Sequence, residues 1–201
     1  MLKSEAPGPT PSFTELHLIR AVEIFGDEEV GRKVLSRKLR LGEGSVRTVI
    51  ARLQQANLIS VSRKGCKLTL EGREIYDKLK STLTRISPID ANPLTVGNYN
   101  FGILVRNSAH KIRYGIEQRD AVVKAGAKGA TIFVYKNGKL IIPSISDDVM
   151  SDYPNTAKKI IEIYQPREND VIIIGGDDAR EKAEDGARMA AWTLVDLGNR
   201  S

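Results

Sequence analysis

The sequence predicts an α+β chain in two parts, and three observations predict it. Apolar residues from Phe13 to Leu53 recur at helical spacing in three short runs; the period then drops to two beyond Asn57; and from Tyr99 onward strand and helix patterns alternate. The first part should hold three helices, a β-hairpin and a linking helix. The second should be an α/β domain whose element order, β-α-β-β-α-β-α, implies helices packed on a mixed sheet.

In the first part, Phe13, Leu16, Ile19 and Val22 or Glu23 recur at helical spacing, with Phe25 close behind and Gly26-Asp27 as the stop of the helix. A second helix fits Gly31 to Arg40, with Val34, Leu35 and Leu39 turned inward, and the Leu41-Gly42 turn ends it. The third carries Val46, Val49, Ile50 and Leu53 as an i, i+3, i+4, i+7 stripe that must face the other two. With Gly42 as its N-cap, Leu41 and Val46 take the positions of a hydrophobic staple. Ile59 and Val61 then alternate with Ser60 and Ser62, and Cys66, Leu68 and Leu70 with Lys67 and Thr69, so a hairpin is expected with Arg63-Lys64-Gly65 at its tip. Thr69 is placed to cap a fourth helix over about Glu71 to Leu83, whose Ile75, Leu79 and Leu83 form a stripe for a second copy or for the chain's own domain.

Between Gly31 and Lys67 the chain carries ten basic side chains against one acidic one, Glu43. A solvating surface mixes its signs; a polyanion-binding surface does not. The outer face of the third helix reads Glu43, Ser45, Arg47, Thr48, Arg52 and Gln55. Ser45, Arg47, Thr48 and Arg52 are therefore the candidates for groove contacts, with Arg47 suited to guanine. Arg37, Lys38, Arg40, Arg63, Lys64 and Lys67 are the candidates for phosphates. Binding to RNA or a scaffolding role is the competing use of such a face.

The run Leu39-x-Leu41-Gly42-Glu43-Gly44-Ser45-Val46-Arg47-Thr48, followed by Leu53, Leu58-Ile59 and Gly65-Cys66-Lys67-Leu68-Thr69-Leu70-Glu71-Gly72, closely resembles the winged helix-turn-helix of prokaryotic transcription regulators. The whole chain resembles an archaeal family of regulators that join such a winged helix to a C-terminal domain of unknown function. The resemblance implies a winged-helix domain over 1–86, a domain over 87–201 that dimerises or senses a small effector, double-stranded DNA as partner, and a homodimer.

Composition narrows the rest. Of 201 residues 41% are apolar, enough for real cores. One cysteine, Cys66, rules out an internal disulfide framework, and two separated histidines, His17 and His110, offer little for a metal centre. No run is long enough to span a bilayer, and Met1 to Ser12, with Pro7, Pro9 and Pro11, reads as an extended segment and not as a secretion signal, so a soluble cytoplasmic protein without cofactor is expected. Basic residues outnumber acidic ones fifteen to ten over 1–83 but only sixteen to fifteen over 84–201, so the two parts should meet different partners.

In the second part, turn-formers crowd Ile86 to Asn98, which reads as a linker. Strands are expected over Tyr99 to Arg106, Ala130 to Tyr135, Lys139 to Ile142 and Asp170 to Ile174, and helices over Gly115 to Ala125, Asn155 to Tyr164 and Asp178 to Leu197. Asn137-Gly138 is a hairpin signal. Gly175, Gly176, Asp177 and Asp178 end a buried strand and open a helix, a place that suits an anionic ligand, although capping by the two carboxylates competes. Arg119 and Asp120 are further ligand candidates. No catalytic constellation is legible, so the chain is expected not to be an enzyme. The alternative is a Mg-dependent nucleotide-processing enzyme fused to a winged-helix interaction module, with Asp147-Asp148 and Asp177-Asp178 sharing the ion.

Overall fold

The computed structural model describes residues 13–84 and 86–195 and divides into two units, Met1–Asp77 and Lys78–Ser201. The proline-rich opening and the last residues of the predicted final helix lie outside the described residues.

In the first unit, α1 (Glu15–Asp27) buries Leu16, Leu18, Ile19, Ala21, Val22 and Phe25. α2 (Arg32–Leu39) buries Leu35 and Leu39, and α3 (Glu43–Gln55) buries Val46, Val49 and Leu53. The apolar stripes thus meet, each fully buried Leu or Val contributing about 1.5–3 kcal/mol. Arg40 closes α2 in the left-handed region (φ 56°), and Gly42 is the N-cap of α3. This short link fixes α3 with its polar side outward.

The hairpin pairs β1 (Ile59–Val61) with β2 (Cys66–Leu68) antiparallel, in the register Ile59↔Leu68 and Val61↔Cys66. Val30, between α1 and α2, adds a bridge to Cys66, whose N–H donates to the Val30 carbonyl at 3.0 Å. Gly65 makes this contact possible: it sits at φ +148°, and a Cβ there would lie 2.8 Å from the carbonyl carbon and oxygen of Val30. Thr69 Oγ1 accepts from the Gly72 N–H at 3.1 Å and so caps α4 (Leu70–Thr82), as its position in the sequence predicts. The Ile75–Leu79–Leu83 stripe is not a free face: Leu79 is buried within the chain, and Leu83 bridges Val105.

The second unit is a sheet with helices, built from β3 (Ser87–Ile89), β4 (Tyr99–Val105), α5 (Ile116–Lys124), β5 (Gly129–Lys136), β6 (Lys139–Ile141), α6 (Val149–Asp152), α7 (Pro154–Tyr164), β7 (Val171–Asp177) and α8 (Arg180–Trp192). Its strands lie in the order β3-β4-β7-β5-β6. Every neighbouring pair is antiparallel. The expected mixed sheet is therefore corrected to an antiparallel one. β4 and β5 do run the same way, but β7 lies between them and opposes both, so no parallel pair forms. The expected linker also supplies an edge strand, β3, where Pro88 is tolerated because its partner lies on one side only.

All seven residues of β7 are buried, because both faces of the sheet are covered. On one face Phe101, Ile103, Ile132, Val171 and Ile173 meet Val122 and the alanines 183, 187, 190 and 191. On the other, Leu104, Phe133, Ile172 and Ile174 meet Ala157, Ile160 and Tyr164. Asp170, just before β7, is tied down on three sides: its carboxylate accepts from Arg106 Nη1 at 2.5 Å and from the N–H groups of Asn107 and Arg167 at 2.9 and 2.8 Å.

Candidate nucleic-acid interface

The outer face of α3 and the hairpin tip share a cleft of about 320 Å³. Arg47 and Gln54 line it from α3, Arg63 and Lys64 from the tip, and Arg32 from the start of α2. Hydrogen bonds hold the tip in shape: Ser62 Oγ donates to Glu29 Oε1 at 3.0 Å and accepts from the Lys64 N–H at 3.0 Å, while the Ser62 N–H donates to the Gly65 carbonyl at 2.8 Å. Four cations therefore border one concave surface on a braced frame.

The remaining candidates divide by what they touch. Arg37, Arg47, Arg63, Lys64 and Lys67 are exposed and have no acidic partner among the described residues. Arg40 is exposed at the end of α2. Thr48 is exposed and its hydroxyl leans on the Gly44 carbonyl at 3.4 Å, while Ser45 is half-buried. Two candidates are already engaged. Lys38 pairs with Glu28, and the Arg52 guanidinium lies 5.0 Å above the ring of Phe13. Arg32, which is 3.7 Å from Glu43, and Gln54 join the cleft although neither was among the sequence candidates. Gln54 was legible in principle, since it lies seven residues after Arg47 and so on the same helix face. Cys66 is buried behind the tip; burial first, then the negative charge of Glu29, pushes its thiol pKa up, so it stays protonated and a poor nucleophile or metal ligand.

The second unit keeps its ligand candidates apart. Arg119 lines a cleft, whereas Asp120 is exposed outside it. The Gly175–Asp178 segment is filled by the chain itself. A Cβ on Gly175 would meet the Ala187 nitrogen of α8 at 2.7 Å, and one on Gly176 would meet the Val96 carbonyl oxygen at 1.8 Å. These glycines lie within β7 and admit a helix and a loop at close quarters, and α8 opens only at Arg180 with Ala179 as its N-cap, so the expected capping by Asp177-Asp178 is corrected. Asp177 accepts from the Ala179 N–H at 2.7 Å, and Asp178 accepts from the Asn98 N–H at 3.3 Å and pairs with Lys128, which holds its carboxyl below the usual range. Asp148 takes the Met150 N–H at 3.1 Å and Lys139 at 3.1 Å. Among the described residues no three His, Cys, Asp or Glu side chains are grouped so as to hold a metal ion.

With this geometry in place, the comparisons with known proteins fall on the same two parts. Residues 15–83 match the model of the CggR N-terminal DNA binding domain. Residues 96–194 match a domain of unknown function (DUF4443). The solved structure of hypothetical protein PH0730 from Pyrococcus horikoshii OT3 is similar over 91% of this chain and 93% of that chain, at 32% identity and a TM-score of 0.65. The chain belongs to the same family as this archaeal protein. The family joins an N-terminal DNA-binding domain of the helix-turn-helix type to a C-terminal domain of unknown function, so the first unit is a DNA-binding domain. No curated protein matches the chain. Among the described residues no helix is long and apolar enough to cross a membrane.

Proposed function

We propose that the chain is a DNA-binding transcriptional regulator that reads duplex DNA with a winged helix. α3 enters the major groove with Arg47, Ser45 and Thr48 toward base edges, and Arg63 and Lys64 of the wing clasp the flanking backbone. The observation that carries this reading is the cleft in which Arg47, Arg63, Lys64 and Arg32 converge. A concave surface bordered by Arg47, Arg63 and Lys64, none with an acidic partner among the described residues, is suited to a polyanion, while Arg32 is shared with Glu43 at 3.7 Å. Arg37, Arg40 and Lys67 extend the phosphate contacts. Lys38 and Arg52 contribute less, since each already has a partner in the chain.

The second unit is assigned to dimerisation, effector sensing or both. A two-fold dimer would set its recognition helices about 34 Å apart, matching a palindromic site. The enzyme alternative is not favoured, since Asp148 and Asp178 are each held by a lysine. Selection of bound sequences from random duplex DNA, with RNA hairpins as competitor, tests the reading. Enrichment of a palindromic duplex motif supports it; preferential retention of the RNA overturns it.

A further inference from the structure

The DNA-binding surface leaves unused a cleft of about 440 Å³ in the second unit, a volume within the range of small-molecule sites. Its floor is Ala130, Thr131 and Ile132 of β5; Tyr114, Ile116 and Arg119 stand on one side, and the turn Ile142–Ile145 on the other. The rim is apolar and open to solvent: Tyr114 is 66% exposed, Ile116 57% and Ile145 70%. Single exposed apolar residues need no explanation, but three around one concave surface do.

Only one lining residue carries a permanent charge. Arg119 has no acidic partner among the described residues, and the Thr131 hydroxyl is committed to the Leu94 carbonyl at 2.5 Å. We propose that this cleft binds a small amphipathic carboxylate, its headgroup paired with the Arg119 guanidinium and its apolar body against Ile116, Ile132 and Ile145. The planar fork of arginine matches a carboxylate with two parallel hydrogen bonds. Other ligand classes fit the lining poorly. A nucleotide or polyphosphate brings several negative charges to a single cation, and a cationic ligand meets Arg119 with like sign. A wholly apolar ligand would cover the guanidinium without pairing it, which is costly. This deepens the effector-sensing part of the proposed function and is independent of the DNA contacts.

The test uses the full chain and the fluorescent probe 1-anilinonaphthalene-8-sulfonate, an apolar ring system with one anionic group. Decanoate, below its micelle concentration, and decanol, the same chain without charge, compete for the probe. Decanoate should displace it at least about tenfold more effectively than decanol, the worth of a charge-assisted hydrogen bond. Arg119→Gln should remove that preference and leave decanol unchanged, while Arg113→Gln, an exposed arginine outside the cleft, should behave as wild type. Ile145→Glu, at an exposed position that tolerates change, should weaken both competitors. Absence of saturable probe binding, equal displacement by the two competitors, or an Arg119→Gln protein like wild type would each overturn the proposal. Probe binding that fades as protein concentration rises would place a second copy in the cleft and overturn it too. Duplex binding measured without competitor stays unaffected by these outcomes, so a failure here is distinct from a failure of the DNA-binding reading.

Discussion

Replacing both wing cations, Arg63→Ala with Lys64→Ala, should change how duplex affinity responds to salt more than it changes the fold. Both side chains are exposed at the hairpin tip, and the tip is shaped by Ser62, Gly65 and the Lys64 backbone, which the substitutions keep. Five side chains are assigned to phosphates in each chain under the proposed reading: Arg37, Arg40, Arg63, Lys64 and Lys67; Lys38 is left out because it pairs with Glu28. At about −0.9 per neutralised phosphate, the slope of log affinity against log salt for one chain on a half-site duplex should be about −4.5 for the wild type and about −2.7 for the double variant. Raising salt from about 50 to about 200 mM then costs the wild type roughly 500-fold and the variant roughly 40-fold. Fluorescence anisotropy with a labelled duplex at four or five salt concentrations measures both lines. Lys38→Ala serves as an internal comparison, with a slope shift well below the roughly 0.9 expected for loss of one phosphate contact. Parallel lines for wild type and double variant would refute the placement of the wing on the DNA backbone. A Lys38→Ala shift as large as that of a wing residue would refute the role given to its pairing with Glu28.

Three further predictions concern the second unit. Burial pushes the Tyr164 hydroxyl pKa up from 10.0 to about 12, so its contribution to stability is complete below about pH 10 and is lost as pH rises through about 12. At about 1.4 kcal/mol per unit this is about 3 kcal/mol, visible as a falling denaturation midpoint in alkali that Tyr164→Phe should flatten; an equally steep fall in that variant would count against it. Gly176→Ala places a methyl 1.8 Å from the Val96 carbonyl oxygen and 2.5 Å from Asn100 Oδ1, and should lower stability by about 1–3 kcal/mol in thermal unfolding; an unchanged midpoint would mean that the loop is not seated as described. Asp170→Ala leaves Arg106 and two N–H groups without their acceptor and should cost about 3 kcal/mol, with Asp170→Asn milder in urea titration.

The first unit was legible because its signals are local. The Val46–Leu53 stripe, the Gly42 cap, the Thr69 cap and the hairpin each span a few residues and reappear in the structure, except that Ile50 is half-buried and lines the cleft and Val61 is exposed where the sequence pattern turned both inward. Asn137 and Gly138, at φ 53° and 72°, likewise make the tight turn their types predict. What escaped depends on neighbours distant in sequence. Val30 is one apolar residue with no run to announce it, yet it adds a bridge to the hairpin at Cys66. Lys38 with Glu28, and Arg52 over Phe13, join different segments, so a helical projection shows their face but not their partners. Strand patterns revealed β4, β5 and β7, but the place of β7 between the other two rests on pairing of segments distant in sequence, which periodicity does not encode. Gly175 and Gly176 illustrate the same limit: glycine admits a ligand or a close backbone equally, and only the positions of Val96 and Ala187 decide.

The most direct test of the central claim is duplex affinity of the full chain carrying Arg47→Glu. Arg47 is exposed, has no acidic partner among the described residues and lines the cleft shared with the hairpin tip. The reversal places a negative charge where the groove and its phosphates are expected, and should weaken binding at least about 100-fold at moderate salt, since two charge-assisted contacts are worth about 3 kcal/mol or more. Circular dichroism and the thermal midpoint should stay as in wild type. Affinity within about threefold of wild type, in a folded protein, would contradict α3 as the reading element.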